Sequence, residues 1–580
     1  MRALRPSWLL LVSGALVLLW AGLTWAVEIM ARGGEAIAYF LFRTQDVYAL
    51  LLGGGALTLA GLVAGGGGRA TGWRWGDDGR AKGWRWADDG RIVGALILIF
   101  ALVAWSGSYW LMEGYALSRD EQVANFGAAA MEQGWLGWQI PRQWIEYRRA
   151  IMPEFFSPFG ADHVWSSAYL PLNSAFRAFW GRVADQALAG PAFLVIGLLG
   201  LWRAAMRLFP GRSDAVAVVL LMALSSTQLL VTGMTPYAMT GHFALTMLWL
   251  ALVLRGGALG HGAAGLVALA LAGLHQYHYP FPFLLPFLLW FAMGRRWGAL
   301  AFHAAVLALA ILIWAKLWPS MLADLFGPPA DIRPSAGVAD KVDSLFDRLI
   351  ARWHPLLHLS RFLAWNNLLL VPLALVGLWR MDWRRALRGE HVALPLAMGA
   401  FGMAVLAMDQ GYGWGYRYLH AFIGSFALLA GYGWTKLRRP GGEKRAPVLA
   451  ASLVAALLTG SFLMARAHDY VAPYAAAHRL ILSADADVVL VDPRGGRFVT
   501  DLARGREGVP VGRPMVMALG MLDEELVDRL CDRYRVAIFD NSAFLPLGVS
   551  AVRWNSEPIA ELRAHMEQRG CGTTLAPRLR

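Results

Sequence analysis

The sequence predicts a polytopic α-helical membrane protein of about thirteen transmembrane helices, closed by a small extracytoplasmic α/β C-terminal domain. Three observations predict it. Of 580 residues, 57% are hydrophobic and only 16% are charged, whereas soluble domains carry nearer a quarter. The apolar residues come in blocks long enough to cross roughly 30 Å of hydrocarbon rather than in short periodic patches. Lysines and arginines collect in alternate short loops, as the positive-inside rule has them, so the formal charge of +13 does not point to nucleic acid as a partner. The 27 tryptophans fit many membrane–water boundaries.

Residues 1–91 supply two N-terminal crossings, at 7–27 and 47–66, and a basic loop. The first apolar run is too long for a signal-peptide core and lacks a small-x-small cleavage site, so it reads as a retained helix. The loop holds a tandem copy, GWRWGDDGR at 72–80 and GWRWADDGR at 83–91. Two copies do not make a stacked repeat, and they read as a duplication in a tolerant loop.

Residues 92–466 hold the remaining windows, at 92–112, 189–208, 214–233, 238–254, 260–275, 279–293, 297–317, 362–379, 392–408, 417–435 and 447–465. Arg203, Arg207, Arg212, Arg295, Arg296, Arg380, Arg384, Arg385, Arg388, Lys436, Arg438 and Arg439 lie in one set of connections; those near 234–237, 276–278 and 409–416 have no Lys or Arg. The N-terminus is therefore expected in the cytoplasm and the C-terminus outside. A large outer loop, 113–190, follows the third window.

Residues 467–580 alternate short apolar runs (ADVVLVD, PMVMAL, VAIFD) with amphipathic stretches, the pattern of a small α/β domain. Cys531 and Cys571 are too few for a disulfide scaffold or a Cys-based zinc site; both fall here, and a bond between them is left open. Asp485 and Asp487 form a D-x-D directly before a strand, read as structural rather than metal-binding.

The unusual polar residues all fall at outer helix ends or in outer loops. SRDEQ places Asp120 and Glu121 at the start of the large loop, and GADHVWSSAYLPLN carries His163 and Tyr169. TGMTPYAMTGH ends on His242, HQYH holds His275 and His278, Arg361 precedes the tenth window, and DQGYGWGYRYLH holds Tyr416 and Arg417. Ionisable groups gathered at one face of a bundle line a cavity rather than lipid. Each also has a plainer reading. Ser118 and Glu121 match a capping box, the histidines suit an interface, the aromatics suit a belt, and the arginines can snorkel. Asp120 is not needed for capping, and the helix dipole would hold it ionised, as a general base requires.

SRDEQVANFGAAAMEQG after a transmembrane helix, followed by AYLPLNSAFRAFWG, resembles the GT-C glycosyltransferases. Within these the chain is most similar to the polyprenyl-phosphate-sugar-dependent type that includes protein O-mannosyltransferases and lipid A aminoarabinose transferases. The resemblance spans about residues 92–435 and departs from the family in two ways. Two crossings rather than none precede the helix leading to Asp120, and the Lys-Pro-Pro start of the second element is missing. It implies an enzyme of the bacterial inner membrane that moves a sugar from a polyprenyl-phosphate donor to an acceptor hydroxyl (on a glycan, lipid or protein) at the periplasmic face, with inversion. It further implies Asp120, and less directly Glu121, in catalysis, Arg417 and Arg361 on the donor phosphate, and His163, Tyr169, His242, His275, His278 and Tyr416 along the substrate path. No cofactor is required, because the arginines can take the phosphate charge; His242, His275 and His278 leave room for a divalent cation. A flippase or transporter of lipid-linked sugars, or an O-antigen ligase or polymerase, are the competing expectations.

Overall fold

A computed structural model describes residues 6–30, 37–66, 82–151, 156–160, 164–329, 354–406, 410, 412–437, 446–506, 509 and 512–576. His163, the first tandem copy and Arg438 and Arg439 lie outside these residues.

All thirteen windows fall on helices. They are α1 (Pro6–Met30), α2 (Val47–Gly66), α3 (Gly90–Trp110), and, past the two helices of the large loop, α4 (Arg119–Glu132) and α5 (Leu172–Val183), α6 (Ala189–Leu208). Then follow α7 (Ser213–Leu224), α8 (Thr227–Gly233), α9 (Met239–Arg255), α10 (Gly257–Ala272), α11 (Phe281–Met293) and α12 (Trp297–Ile311). The series continues with α13 (His354–Ala364), α14 (Leu370–Trp379), α15 (Ala393–Leu406), α16 (Ile423–Lys436) and α17 (Ala446–Leu482).

The expected count of thirteen crossings is not reached by length. Among the described residues, 6 helices are long and apolar enough to cross a membrane, and α7 with α8, bent by 52°, make a seventh. α9, α10, α11, α14 and α15 are apolar but 10–17 residues long. At 1.5 Å per residue these reach roughly 15–25 Å, short of the hydrocarbon thickness. Small residues let the helices approach: a Cβ on Gly61 of α2 would lie 2.6 Å from the backbone nitrogen of Leu11 in α1.

α17 has 37 residues and runs without a break through the boundary expected at 466. Its length, roughly 55 Å, exceeds a bilayer core and carries the chain clear of it. Beyond it β4 (Val488–Val491), β5 (Met515–Ala518), β6 (Val536–Phe539) and β7 (Thr573–Thr574) form a sheet in the order β5-β4-β6-β7, every pairing parallel. Val488 pairs with Met515 on one side and Val536 on the other. All four residues of β4, β5 and β6 are buried, as expected of parallel strands covered on both faces. α18 (Glu524–Arg533) and α19 (Glu557–Gln568) pack beside it, and a Cys531–Cys571 disulfide with Cα atoms 5.8 Å apart ties α18 to the end of the chain. Asp485 and Asp487 pair with Arg535, and Asp487 also with Arg513, in line with the structural reading.

The large loop has a sheet of its own, absent from the sequence reading. β1 (Trp138–Gln139) and β2 (Phe156–Phe159) both pair antiparallel with β3 (Val164–Ser167). The loop and the C-terminal sheet share one apolar core: Phe126, Trp144 and Tyr147 pack with Val488, Met517 and Ile538. Two regions that read as separate along the chain thus meet in one body, with α4 between it and the helix bundle.

Candidate active site

α4 begins with a complete capping box. The Ser118 hydroxyl accepts from the Glu121 backbone nitrogen, and the Glu121 carboxylate accepts from the Ser118 nitrogen at 2.8 Å. This fixes the first turn and leaves Asp120 facing the bundle. There the Asp120 carboxylate accepts from two donors, Arg417 Nη1 at 2.5 Å to Oδ2 and the Tyr169 hydroxyl to Oδ1. Asp120 and Arg417 are 297 residues apart in sequence, and each side chain is 16% exposed. They line a cavity of about 200 Å³ with Tyr169, Tyr237, His275 and Tyr418.

Arg417 is held by a loop whose own polar groups are tied down. The Arg417 nitrogen donates to Gln410 Oε1 at 2.7 Å, and Gln410 Nε2 donates to the Gly415 carbonyl at 3.0 Å. Gln228 Nε2 donates to the Tyr416 carbonyl at 2.7 Å, and Arg361 Nη2 to the Gly413 carbonyl at 2.7 Å. Gly415 has φ +67, and a Cβ there would lie 2.6 Å from Gln228 Cδ, so the turn needs glycine on both counts. The Arg417 guanidinium keeps donors in reserve. Nη2 makes one long bond, 3.4 Å to the Tyr418 hydroxyl, and Nε has no hydrogen-bond partner among the described residues.

Electrostatics separates the two neighbouring acids. Burial raises the Asp120 carboxyl, but the Arg417 charge and the Tyr169 hydroxyl outweigh it and hold the group below its ordinary range. Burial pushes Glu121 up to about 7 against its bonds to Ser118. Burial and the Asp120 charge push the Tyr169 phenol well up, so it stays protonated and donates. Adjacent acids driven apart in this way mark a division of roles.

The expected residues divide in the same manner. Asp120, Tyr169, His275 and Arg417 come together in the cavity. Glu121 does not: it is fully buried in the capping box, on the plainer of the two readings. Arg361 does not either. It is completely buried, 3.3 Å from Asp46 Oδ2, and bonds to the Arg417 loop at the Gly413 carbonyl. A donor phosphate cannot reach a guanidinium so enclosed. His242 is buried with its ring 4.2 Å from that of Tyr279, His278 is exposed, and Tyr416 is stacked on His358 at 5.4 Å; none lines the cavity. Among the described residues no three His, Cys, Asp or Glu side chains converge to hold a metal, and the His242 and His275 rings stand 6.4 Å apart.

Tyr237 was missed. Its hydroxyl lies 2.7 Å from Ser118 Oγ and donates to the Tyr412 carbonyl at 3.3 Å, bridging α4 to the Arg417 loop. Its sequence signal is its place in TGMTPYAMTGH, five residues before His242. A second cavity, about 1000 Å³, lies on the other face of α4, lined by Gln122, Asn125, Arg177 and Arg504 among others; neither Asp120 nor Arg417 lines it.

No protein-family model matches the chain, and no curated protein does. Two crystal structures of ArnT from Cupriavidus metallidurans show a distant likeness. The apo form gives a TM-score of 0.45 at 11% identity, and the form bound to undecaprenyl phosphate gives 0.46 at 12%. Each comparison covers 83% of this chain and 89% of the other. Likeness at that level leaves function to be argued from the site itself.

Proposed function

We propose that the chain is a membrane glycosyltransferase that moves a sugar from a polyprenyl-phosphate donor to an acceptor hydroxyl, with inversion at the anomeric carbon. The observation that carries this reading is the contact between Asp120 and Arg417 within one cavity beside the apolar bundle. Asp120 is the general base: it takes the proton of the acceptor hydroxyl while that oxygen attacks the anomeric carbon. The bond from that carbon to the phosphate oxygen breaks on the opposite face. The leaving phosphate goes from one negative charge to nearly two, and Arg417, whose Nη2 makes a long 3.4 Å bond to Tyr418, meets the growing charge.

The ion pair gives the base a natural control. Without donor, Asp120 shares its charge with Arg417 and is a weak base. A phosphate on the same guanidinium adds a second anion beside the carboxylate and raises its proton affinity. The base therefore strengthens when a donor is present. The Cys531–Cys571 disulfide supports an oxidising compartment for the C-terminal sheet, and hence for Asp120, which sits against that body. Together with the loop charges this favours the periplasmic side of the inner membrane.

The test is to incubate purified protein with a panel of labelled polyprenyl-phosphate sugars and an envelope glycolipid extract as acceptor. Wild-type protein should release sugar from at least one donor, and Asp120→Asn should cut the rate by about 10²–10⁴-fold while remaining folded. Undiminished transfer by Asp120→Asn would falsify the assignment.

A further inference from the structure

The four-stranded sheet has a topological switch point: after β4 the chain moves to β5 on one side, then to β6 on the other. In open α/β sheets the crevice at the carboxyl ends of such strands is where ligands bind. Here the segment leaving β4 starts at that edge of the sheet. Asp492 is buried and gripped by Arg494, with Nη2 to Oδ2 at 2.6 Å, and the Arg497 carbonyl accepts from the Tyr474 hydroxyl of α17 at 2.8 Å. The next seven residues, 498–504, end on α4.

What they hold is the turn that carries Asp120. Arg119 is 3% exposed; its Nη2 donates to the Thr500 carbonyl at 2.7 Å and its Nε lies 3.3 Å from Asp501 Oδ1. Gln122 Nε2 donates to the Asp501 carbonyl at 3.1 Å, and Arg504 Nη1 to the Ala116 carbonyl at 2.6 Å. Residues 116, 119 and 122 flank position 120 on both sides, and all three are bonded to one segment of the C-terminal module. Helix capping needs none of these contacts, since Ser118 and Glu121 already complete the cap. A buried arginine beside the proposed base, bonded to backbone carbonyls more than 380 residues away, has the geometry of a fixed mount.

The geometry points to residues 499–504 as an intramolecular clamp that sets where the Asp120 carboxylate stands, with Arg119, Gln122, Asp501 and Arg504 as positioning residues. The inference rests on the transferase reading for its kinetic consequence, though the clamp itself is a statement about structure.

The experiment is Arg119→Met, which keeps the bulk and removes the donors, measured beside Arg119→Lys and Arg504→Met in the full-length protein. A donor sugar from the panel serves as substrate, and amide hydrogen exchange is followed across residues 119–124. A misplaced base lowers kcat and leaves donor binding alone. Arg119→Met should lose on the order of 10- to 100-fold in kcat with the donor KM held within about twofold. Exchange in the first turn of α4 should quicken, and Arg119→Lys should recover part of both. Arg504→Met, which frees Ala116, should show the same split and serves if Arg119→Met does not fold. Wild-type kcat in the variants, or a rise in KM at constant kcat, overturns the clamp. If the wild-type protein transfers no sugar at all, the proposed function fails, and exchange still decides the clamp: unchanged protection overturns it, faster exchange upholds it.

Discussion

Asp120 and Glu121 share a helical turn and differ in every physical respect that matters to the site. The first is ionised by its neighbours and open to a cavity; the second is sealed beneath the cap and pushed toward neutrality. The depressed Asp120 value fixes a sign. A lowered native value means that the Asp120–Arg417 pair stabilises the fold above the ordinary aspartate range, about 3.9, and that this contribution fades as pH falls through the native value. The acid limb of kcat/KM against pH, which reports the donor-free protein, should therefore lie below that of a free aspartate. Tyr169→Phe removes a donor to the charged form, so it should move the acid limb upward and slow transfer about 10-fold, as read from kcat/KM against pH. Arg417→Lys keeps the charge but loses the fork, and should cost about 10²-fold in kcat. Asp120, Tyr169, His275 and Arg417 were legible in the sequence because polar groups at the outer ends of apolar segments have few other uses. Tyr237 was not, because an aromatic ring in such a turn is equally at home in a membrane belt.

Among elements, α13 shows where sequence reading stops. Arg361 stands near the carboxyl end of its helix, yet its charge is met by Asp46, more than 300 residues earlier and just ahead of α2. Trp365 Nε1 completes the junction with 2.8 Å to Asp46 Oδ1. Only the tertiary fold decides whether an arginine faces a cavity or an aspartate. Removing one partner of a buried pair leaves a stranded charge, so Asp46→Ala should lower stability by about 3–5 kcal/mol. The double variant Asp46→Leu/Arg361→Met should recover much of it, as judged by thermal unfolding in detergent. The capping box, by contrast, was readable from four letters because its contacts span one turn. The disulfide closes a 40-residue separation. On the chain-entropy account, opening it with reductant should destabilise the protein by about 4 kcal/mol, seen as a lower unfolding temperature.

At the scale of the whole molecule, the thirteen apolar blocks fall on helices, but composition alone did not measure how many of them are long enough to cross. Among the described residues, several helices of 10–17 residues sit among 6 long ones. The orientation drawn from loop charges has a direct check. Both native cysteines are bonded to each other, so a membrane-impermeant maleimide should label Gln276→Cys in intact spheroplasts and label Arg384→Cys only after the membrane is breached. The joining of the large loop to the C-terminal sheet was invisible along the chain, since Phe126 and Ile538 carry no mark of each other. That long-range closure also dictates timing during biosynthesis. A ribosome has made the base by codon 120, yet its partner arrives only 297 residues later and the segment that seats it later still. Nascent and truncated chains thereby lack the assembled Asp120–Arg417 pair, and on the proposed transferase reading they would be inert toward lipid-linked sugars.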